Sequence, residues 1–221
     1  MKPLRFAFQT VFLCTFLLLP TFVGATIIIE NKLVGGSGDV DNVLFNGTGT
    51  VSGPASTVTG RLQNTGLLVD FTSDQNLETV AGGQARVEAQ VGTFDNIDFF
   101  LQDTTKGFGK VQFNLDPAAG QTNGDVTLAF TDQWGTVFQK DFELDINGQN
   151  FFTAYSNDNQ VIVLARILST ADLVAINDIQ QVRIGPTDLQ GNPVPEPTTM
   201  LLLGTGLVGL LGFGRKKFFK T

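Results

Sequence analysis

Between residues 26 and 192, apolar and polar positions alternate in short runs separated by Gly, Asn and Asp. A period of two marks strands with one buried face. Val43 to Val51, Thr57 to Leu62, Leu67 to Thr72, Gln84 to Ala89, Ile97 to Gln102 and Lys110 to Asn114 read this way. The clearest stretch comes next. Val126, Leu128 and Phe130 alternate with Thr127, Ala129 and Thr131, Gln133-Trp134-Gly135 turns, and Phe138, Phe142, Leu144 and Ile146 share one face of the following run. Asn147-Gly148 predicts a two-residue hairpin, because both positions tolerate positive φ, and Asn150 to Tyr155 is its return strand. Ser156 to Asn159 turns again before Val161 to Ile167. Ser169 to Ile176 fits a short capped helix or a turn. Gln180 to Ile184 is the last strand, and Gly185 to Pro193 a linker.

About ten to twelve short strands with few helices predict an all-β domain, an antiparallel β-sandwich of jelly-roll type spanning 26–184. No internal repeat is evident. Twelve Phe residues fall in this region. They are read most simply as core; a row of sugar-stacking aromatics is the sharper alternative.

Both ends depart from this pattern. At the start, Lys2 and Arg5 precede the apolar run Val11 to Leu19, which Pro20 breaks, and Val23-Gly24-Ala25 supplies small residues. That is the layout of a secretory signal peptide, with cleavage expected between Ala25 and Thr26. An uncleaved anchor is the alternative, but the run falls short of the roughly 20 apolar residues that span a bilayer. Cys14, the single cysteine, lies inside the run after Phe12 and Leu13, where a lipidation site would need small residues. Cleavage leaves a domain with no cysteine and so no disulfide.

At the other end, Val194-Pro195-Glu196-Pro197 is a stiff extended element, since each proline fixes its own φ and restrains the residue before it. Thr198 to Gly214 follows, 17 uncharged and mostly apolar residues, at the short end for a transmembrane helix. Gly204, Gly206, Gly209, Gly212 and Gly214 would allow close helix approach in lipid. Arg215, Lys216 and Lys217 form a basic stop that the positive-inside rule places in the cytoplasm. An ordinary single-pass anchor would share the apolar run and the stop. The full order, Pro-Glu-Pro, Gly-rich apolar helix, basic cluster, resembles the PEP-CTERM sorting signal over the last 28 residues. Pro195, Glu196 and Pro197 match its namesake motif and Arg215 to Lys217 its basic end; Phe218, Phe219 and Lys220 run past it. The resemblance implies an exosortase as partner, a membrane-embedded enzyme that cuts near the motif. It also implies an inner-membrane precursor and a surface or extracellular-matrix destination. Pro195-Glu196-Pro197 would then be a substrate site.

Charge narrows the rest. Residues 26 to 192 carry eight basic against twenty acidic residues, a net charge of −12. Nucleic-acid binding needs the opposite sign. The chain has no histidine, which removes Ser-His-Asp and Cys-His nucleophilic sites and the commonest general base. Gly35-Gly36-Ser37-Gly38 lacks the strand–loop–helix context of a phosphate loop and reads as a surface loop. Asp141, Glu143 and Asp145 alternate with Phe142, Leu144 and Ile146, so the three acids share one strand face at a spacing of roughly 6 to 7 Å. Paired carboxylates at such distances serve inverting glycosidases, but a solvated strand face has the same pattern. Asp39-Val-Asp41-Asn42, Asp95-Asn96-Ile-Asp98 and Asn157-Asp158-Asn159 are oxygen-rich turns open to a structural calcium ion, or to turn chemistry alone. No other cofactor is expected. Asn46-Gly47-Thr48 is a glycosylation sequon, read as chance in a bacterial context. Three functions compete: a non-enzymatic exported surface or matrix protein, a module binding exopolysaccharide, and a carboxylate-dependent glycan-active enzyme.

Overall fold

The computed structural model describes residues 26–80, 86–118, 124–146, 148–157, 160–169, 176–189 and 204–206. Strands form mostly where the period of two holds: β1 (Ile27–Glu30), an Ile run without that alternation, β2 (Asp41–Leu44), β3 (Ala55–Leu62), β4 (Leu68–Val80), β5 (Arg86–Ala89) and β6 (Asn96–Leu101) come first. β7 (Lys106–Pro117), β8 (Gly124–Asp132), β9 (Val137–Leu144), β10 (Asn150–Ser156), β11 (Ile162–Leu168) and β12 (Ile176–Asp188) follow. A 3₁₀ turn, Ser37–Asp39, precedes β2.

All pairings between these strands are antiparallel. The hydrogen-bonded path runs β1-β10-β7-β12-β2-β3-β4-β6-β11-β8-β9, and β5 lies between β12 and β4. The path folds over on itself. β4 pairs with β6 through Val69 to Thr72 and with β5 through Leu77 to Val80, so it passes from one layer to the other. β7 touches β11 where Phe108 pairs with Ile162. Gly107 permits that approach: a Cβ there would lie 2.5 Å from the Ile162 carbonyl oxygen.

Inward residues make one core. Val69 and Phe71, Ile97 and Phe99, Val126, Leu128 and Phe130 are all buried, while their strand neighbours Asp70, Asp98 and Thr127 are not. A phenylalanine spine links the layers. Phe71 meets Phe99 with ring centroids 5.4 Å apart, Phe99 meets Phe113 edge-on at 5.9 Å, and Phe113 meets Phe152 at 5.7 Å. Phe142 of β9 reaches Phe152 of β10 at 5.2 Å. Ring pairs at these separations add to the area they bury. The expected all-β antiparallel sandwich is therefore present, closed at its sides in the manner of a barrel.

Several details differ from the sequence reading. The expected strand Val43 to Val51 stops at Leu44. Beyond it the Thr50 hydroxyl donates to the carbonyls of Gly47 (2.8 Å) and Phe45 (3.2 Å), which closes a turn, and Val51 keeps only an isolated bridge to Thr59. Asn147-Gly148 does not join a hairpin: β9 pairs with β8, and β10 with β1 and β7. Asn150 is the reason. It is buried, its Nδ2 donates to the carbonyls of Asp145 and Leu115, and its Oδ1 accepts from the Asp145 amide. Those bonds carry the chain across to β7. The last strand continues through Asp188, taking in residues 185–188 of the expected linker.

Candidate functional site

The β8–β9 hairpin carries the only exposed aromatic side chain among the described residues. All twelve Phe residues of the domain, and Tyr155, are buried or half-buried; ten of the phenylalanines form the core or pack against it, while Phe100 and Phe151 lie half-buried outside it. Trp134, the one tryptophan of the chain, is 58% exposed at the hairpin tip.

The turn beneath it is braced. Asp132 ends β8 and is 1% exposed. Its Oδ1 accepts the amides of Trp134 (2.9 Å) and Thr136 (2.8 Å), and its Oδ2 accepts the side-chain amide of buried Gln160 (3.0 Å). A carboxylate in such a place needs all of these donors, because desolvating a charge without partners is costly. Main-chain bonds from Gly135 N to Asp132 O and from Asp132 N to Thr136 O close the turn, with Gly135 at φ 83°. Gln133 ties it to the neighbouring chain: its amide donates to the Val161 carbonyl at 3.0 Å and its Oε1 accepts the Val161 amide at 2.6 Å. Asp132→Ala strips acceptors from two main-chain amides and from Gln160. The expected loss is about 1–2 kcal/mol, read as a lower urea midpoint together with broadened indole fluorescence.

Asp141, Glu143 and Asp145 are exposed, the first two on the outer face of β9 opposite the buried or half-buried Phe142 and Leu144. Asp141 accepts the Thr127 hydroxyl at 2.6 Å. Acids sharing one open strand face do not flank a substrate as a catalytic pair must.

Several oxygens of the oxygen-rich turns are engaged within the fold, while Asp41 Oδ1 is buried with no hydrogen-bond partner. Buried Asp41 turns its Oδ2 to the amides of Asn64 (2.8 Å) and Thr65 (3.0 Å). Asp39 lies 3.7 Å from Lys110 Nζ, and Asn42 donates to Gln63. Asp98 holds Arg166 in a two-pronged pair, Nε to Oδ1 at 2.8 Å and Nη2 to Oδ2 at 2.6 Å. Asp95 and Asn96 accept from the amides of Ser169 and Asp74. Asp158 and Asn159 lie outside the described residues. Among the described residues, no group of three or more acids gathers to hold a metal ion.

One acidic row has an electrostatic consequence. β12 runs between β5 and β7 and places Asp178 opposite Glu88 on one side and Asp116 on the other. Asp178 is fully buried, and Arg86 Nη1 lies 3.6 Å from its Oδ2. Burial pushes its carboxyl up to about 6, with the negative Asp116 adding to the rise and Gln180, Arg86 and Asn177 opposing it.

Ala25, Pro195, Glu196, Pro197, Arg215, Lys216 and Lys217 lie outside the described residues, as does the expected span 198–214 apart from Gly204, Thr205 and Gly206, which are helical. The expected helix or turn after Ser169 is also outside them up to Ile176. Among the described residues, no helix is long and apolar enough to cross a membrane. Thr26 is described: its carbonyl accepts the Asn157 amide at 3.2 Å, and β1 begins at the next residue.

Fold and sequence together define an all-β antiparallel domain followed by a linear sorting element. That element is specific: residues 193–216 carry the PEP-CTERM protein-sorting motif. No curated protein matches the chain in sequence. Solved structures to which the chain is similar include a carbohydrate binding module of family 29 (13% identity, TM-score 0.36, 73% of this chain and 89% of that one). Another is the xylan-binding domain CBM22-1 of Paenibacillus barcinonensis Xyn10C (15%, 0.32, 65% and 95%). An exo-β-agarase is a third (12%, 0.36), with 55% of this chain covering 24% of that one. At these values the likeness says nothing about a ligand.

Proposed function

We propose that the chain is an exported, non-enzymatic surface or extracellular-matrix protein, sorted by an exosortase-type enzyme through its tail. The observation that carries this reading is the PEP-CTERM motif at residues 193–216. In this reading Pro195-Glu196-Pro197 is the segment presented to the enzyme. The apolar run 198–214 holds the precursor in the inner membrane, and Arg215, Lys216 and Lys217 keep its end in the cytoplasm. The strand boundaries are compatible with both cuts. A signal cleavage between Ala25 and Thr26 falls just before β1, and β12 ends at Asp188, ahead of the motif. The open placement of Asp141, Glu143 and Asp145 favours a binding or structural role over carboxylate catalysis.

Intact-mass measurement on protein from its native host tests this. The wild-type mass should fit a chain that starts at Thr26 and lacks everything after about Pro197. Glu196→Ala should keep its tail. A wild-type chain that runs through Thr221 would make the tail a plain membrane anchor and sink the proposal.

A further inference from the structure

We infer that the β8–β9 turn is a carbohydrate-contact site, with the Trp134 indole as a stacking platform for a neutral polysaccharide. This goes beyond sorting, and requires only that the domain meets glycan outside the cell.

Trp134 contrasts with every other ring of the domain. The domain covers twelve Phe residues and Tyr155, yet leaves its largest aromatic more than half exposed. An exposed indole forgoes the burial that aromatic side chains otherwise contribute. The turn that carries it is also firmly braced. The turn rests on a buried carboxylate with three donors and is tied to Val161 through both the main chain and the side chain of Gln133. The backbone under Trp134 is thus ordered before any ligand arrives, and a pre-ordered contact loses less entropy on binding.

The ligand class follows from chemistry and charge. An indole face is flat, apolar and rich in π electrons, and its N–H is a donor at the edge. A pyranose ring offers the complement, with weakly positive C–H groups on one face and hydroxyls around its rim. The net charge of −12 repels polyanions, which leaves uncharged glycans. Val137, 56% exposed, is the other exposed apolar residue of the hairpin. Two side chains fall far short of the roughly 800 Å² per partner of a stable protein interface. The turn from Asp132 to Val137 has no basic residue to draw it to an anionic bilayer.

Because Trp134 is the only tryptophan, its fluorescence reports this site alone. The full chain, held in lauryldimethylamine oxide micelles that carry no sugar, is titrated with dextran, galactomannan, arabinoxylan and laminarin, and with alginate as the polyanion. Acrylamide quenching of the indole is followed throughout. At least one neutral polysaccharide should cut quenching about twofold, and alginate should not. Retention of the chain in a gel containing that polysaccharide should weaken about tenfold or more in Trp134→Ala, and less in Trp134→Phe. The urea midpoint should stay unchanged in both variants. The inference fails if no neutral polysaccharide protects the indole, if alginate protects it equally, or if Trp134→Ala is retained like wild type. It fails too if phosphatidylcholine vesicles protect the indole and glycans do not. A failure of the sorting proposal shows instead as an uncut tail, which leaves this titration untouched.

Discussion

Replacing Phe99 by alanine should destabilise the domain by about 3–5 kcal/mol, the range for removing a fully buried phenylalanine. Phe99 is the hub of the aromatic spine: its ring lies 5.4 Å from Phe71, 6.0 Å from Phe108 and 5.9 Å from Phe113. Phe71 belongs to a neighbouring strand of the same layer, and Phe113 to the layer opposite. Truncation therefore opens a void that neither layer can close alone, and it removes three ring contacts together with the buried area. Domains are stable by only about 5–15 kcal/mol, so this single change approaches the whole margin. Residues 26–192 contain no cysteine, so no disulfide within them offsets the loss. Urea unfolding followed by circular dichroism gives the measure, with Gln139→Ala on the exposed face of β9 as comparison. The control should stay within about 0.5 kcal/mol of wild type. If Phe99→Ala moved the midpoint no further than the control, the two layers would not share the core described above.

The period of two made the inner strands legible, and Phe71, Phe99 and Phe130 could be placed in the core from their positions alone. Strand lengths were harder. β4, β7 and β12 pass between layers, so residues such as Gln112 and Asn114 are buried on strands whose polar positions would otherwise mark the outside. β1 was missed because it begins right after the expected signal peptide, where a run of three Ile shows no alternation. Trp134 was read as part of a turn, and the aspartate before it carried a usable sign: Asp at the first position of a turn often caps the amides that follow. What made the turn rigid was hidden, because Gln160 and Val161 lie 28 residues from their partners. The sorting tail was readable for the opposite reason. An enzyme reads it as a local string, so its information does not depend on the fold.

Asp178 shows what pairing adds to sequence, and its charge should make the domain more stable at pH 5 than at pH 7.5. It sits between Ile176 and Ile179, both buried, so its own strand gives no polar signal. Only the register reveals it as the middle of the row Glu88, Asp178, Asp116 across three strands. Cross-strand like charges are unfavourable, and Asp178 Oδ1 has no hydrogen-bond partner. Arg86 answers from one side, but at 3.0 Å it is closer to Glu88 than to Asp178 at 3.6 Å. With the folded carboxyl near 6 and its ordinary value 3.8, the native state binds more protons than the unfolded one between these limits. Stability from this group is thus full below about pH 4 and is lost as pH rises through 6, an amplitude of about 3 kcal/mol over the whole span, about half of it between pH 5 and 7.5. Glu30 is held below its ordinary value by its hydrogen bond from Lys32, and Asp103 by its bond from the Thr105 hydroxyl. Their contributions fade only as pH falls below the usual carboxylate range, so they leave the window between 7.5 and 5 to Asp178. Asp178→Asn should flatten the profile there and stabilise the domain at pH 7.5, since the amide keeps an acceptor for Asn177 and presents no charge to Asp116. Urea midpoints of both proteins at the two pH values decide it. A wild type that is less stable at pH 5, or a variant that keeps the same slope, would mean that Asp178 stays charged in its buried row.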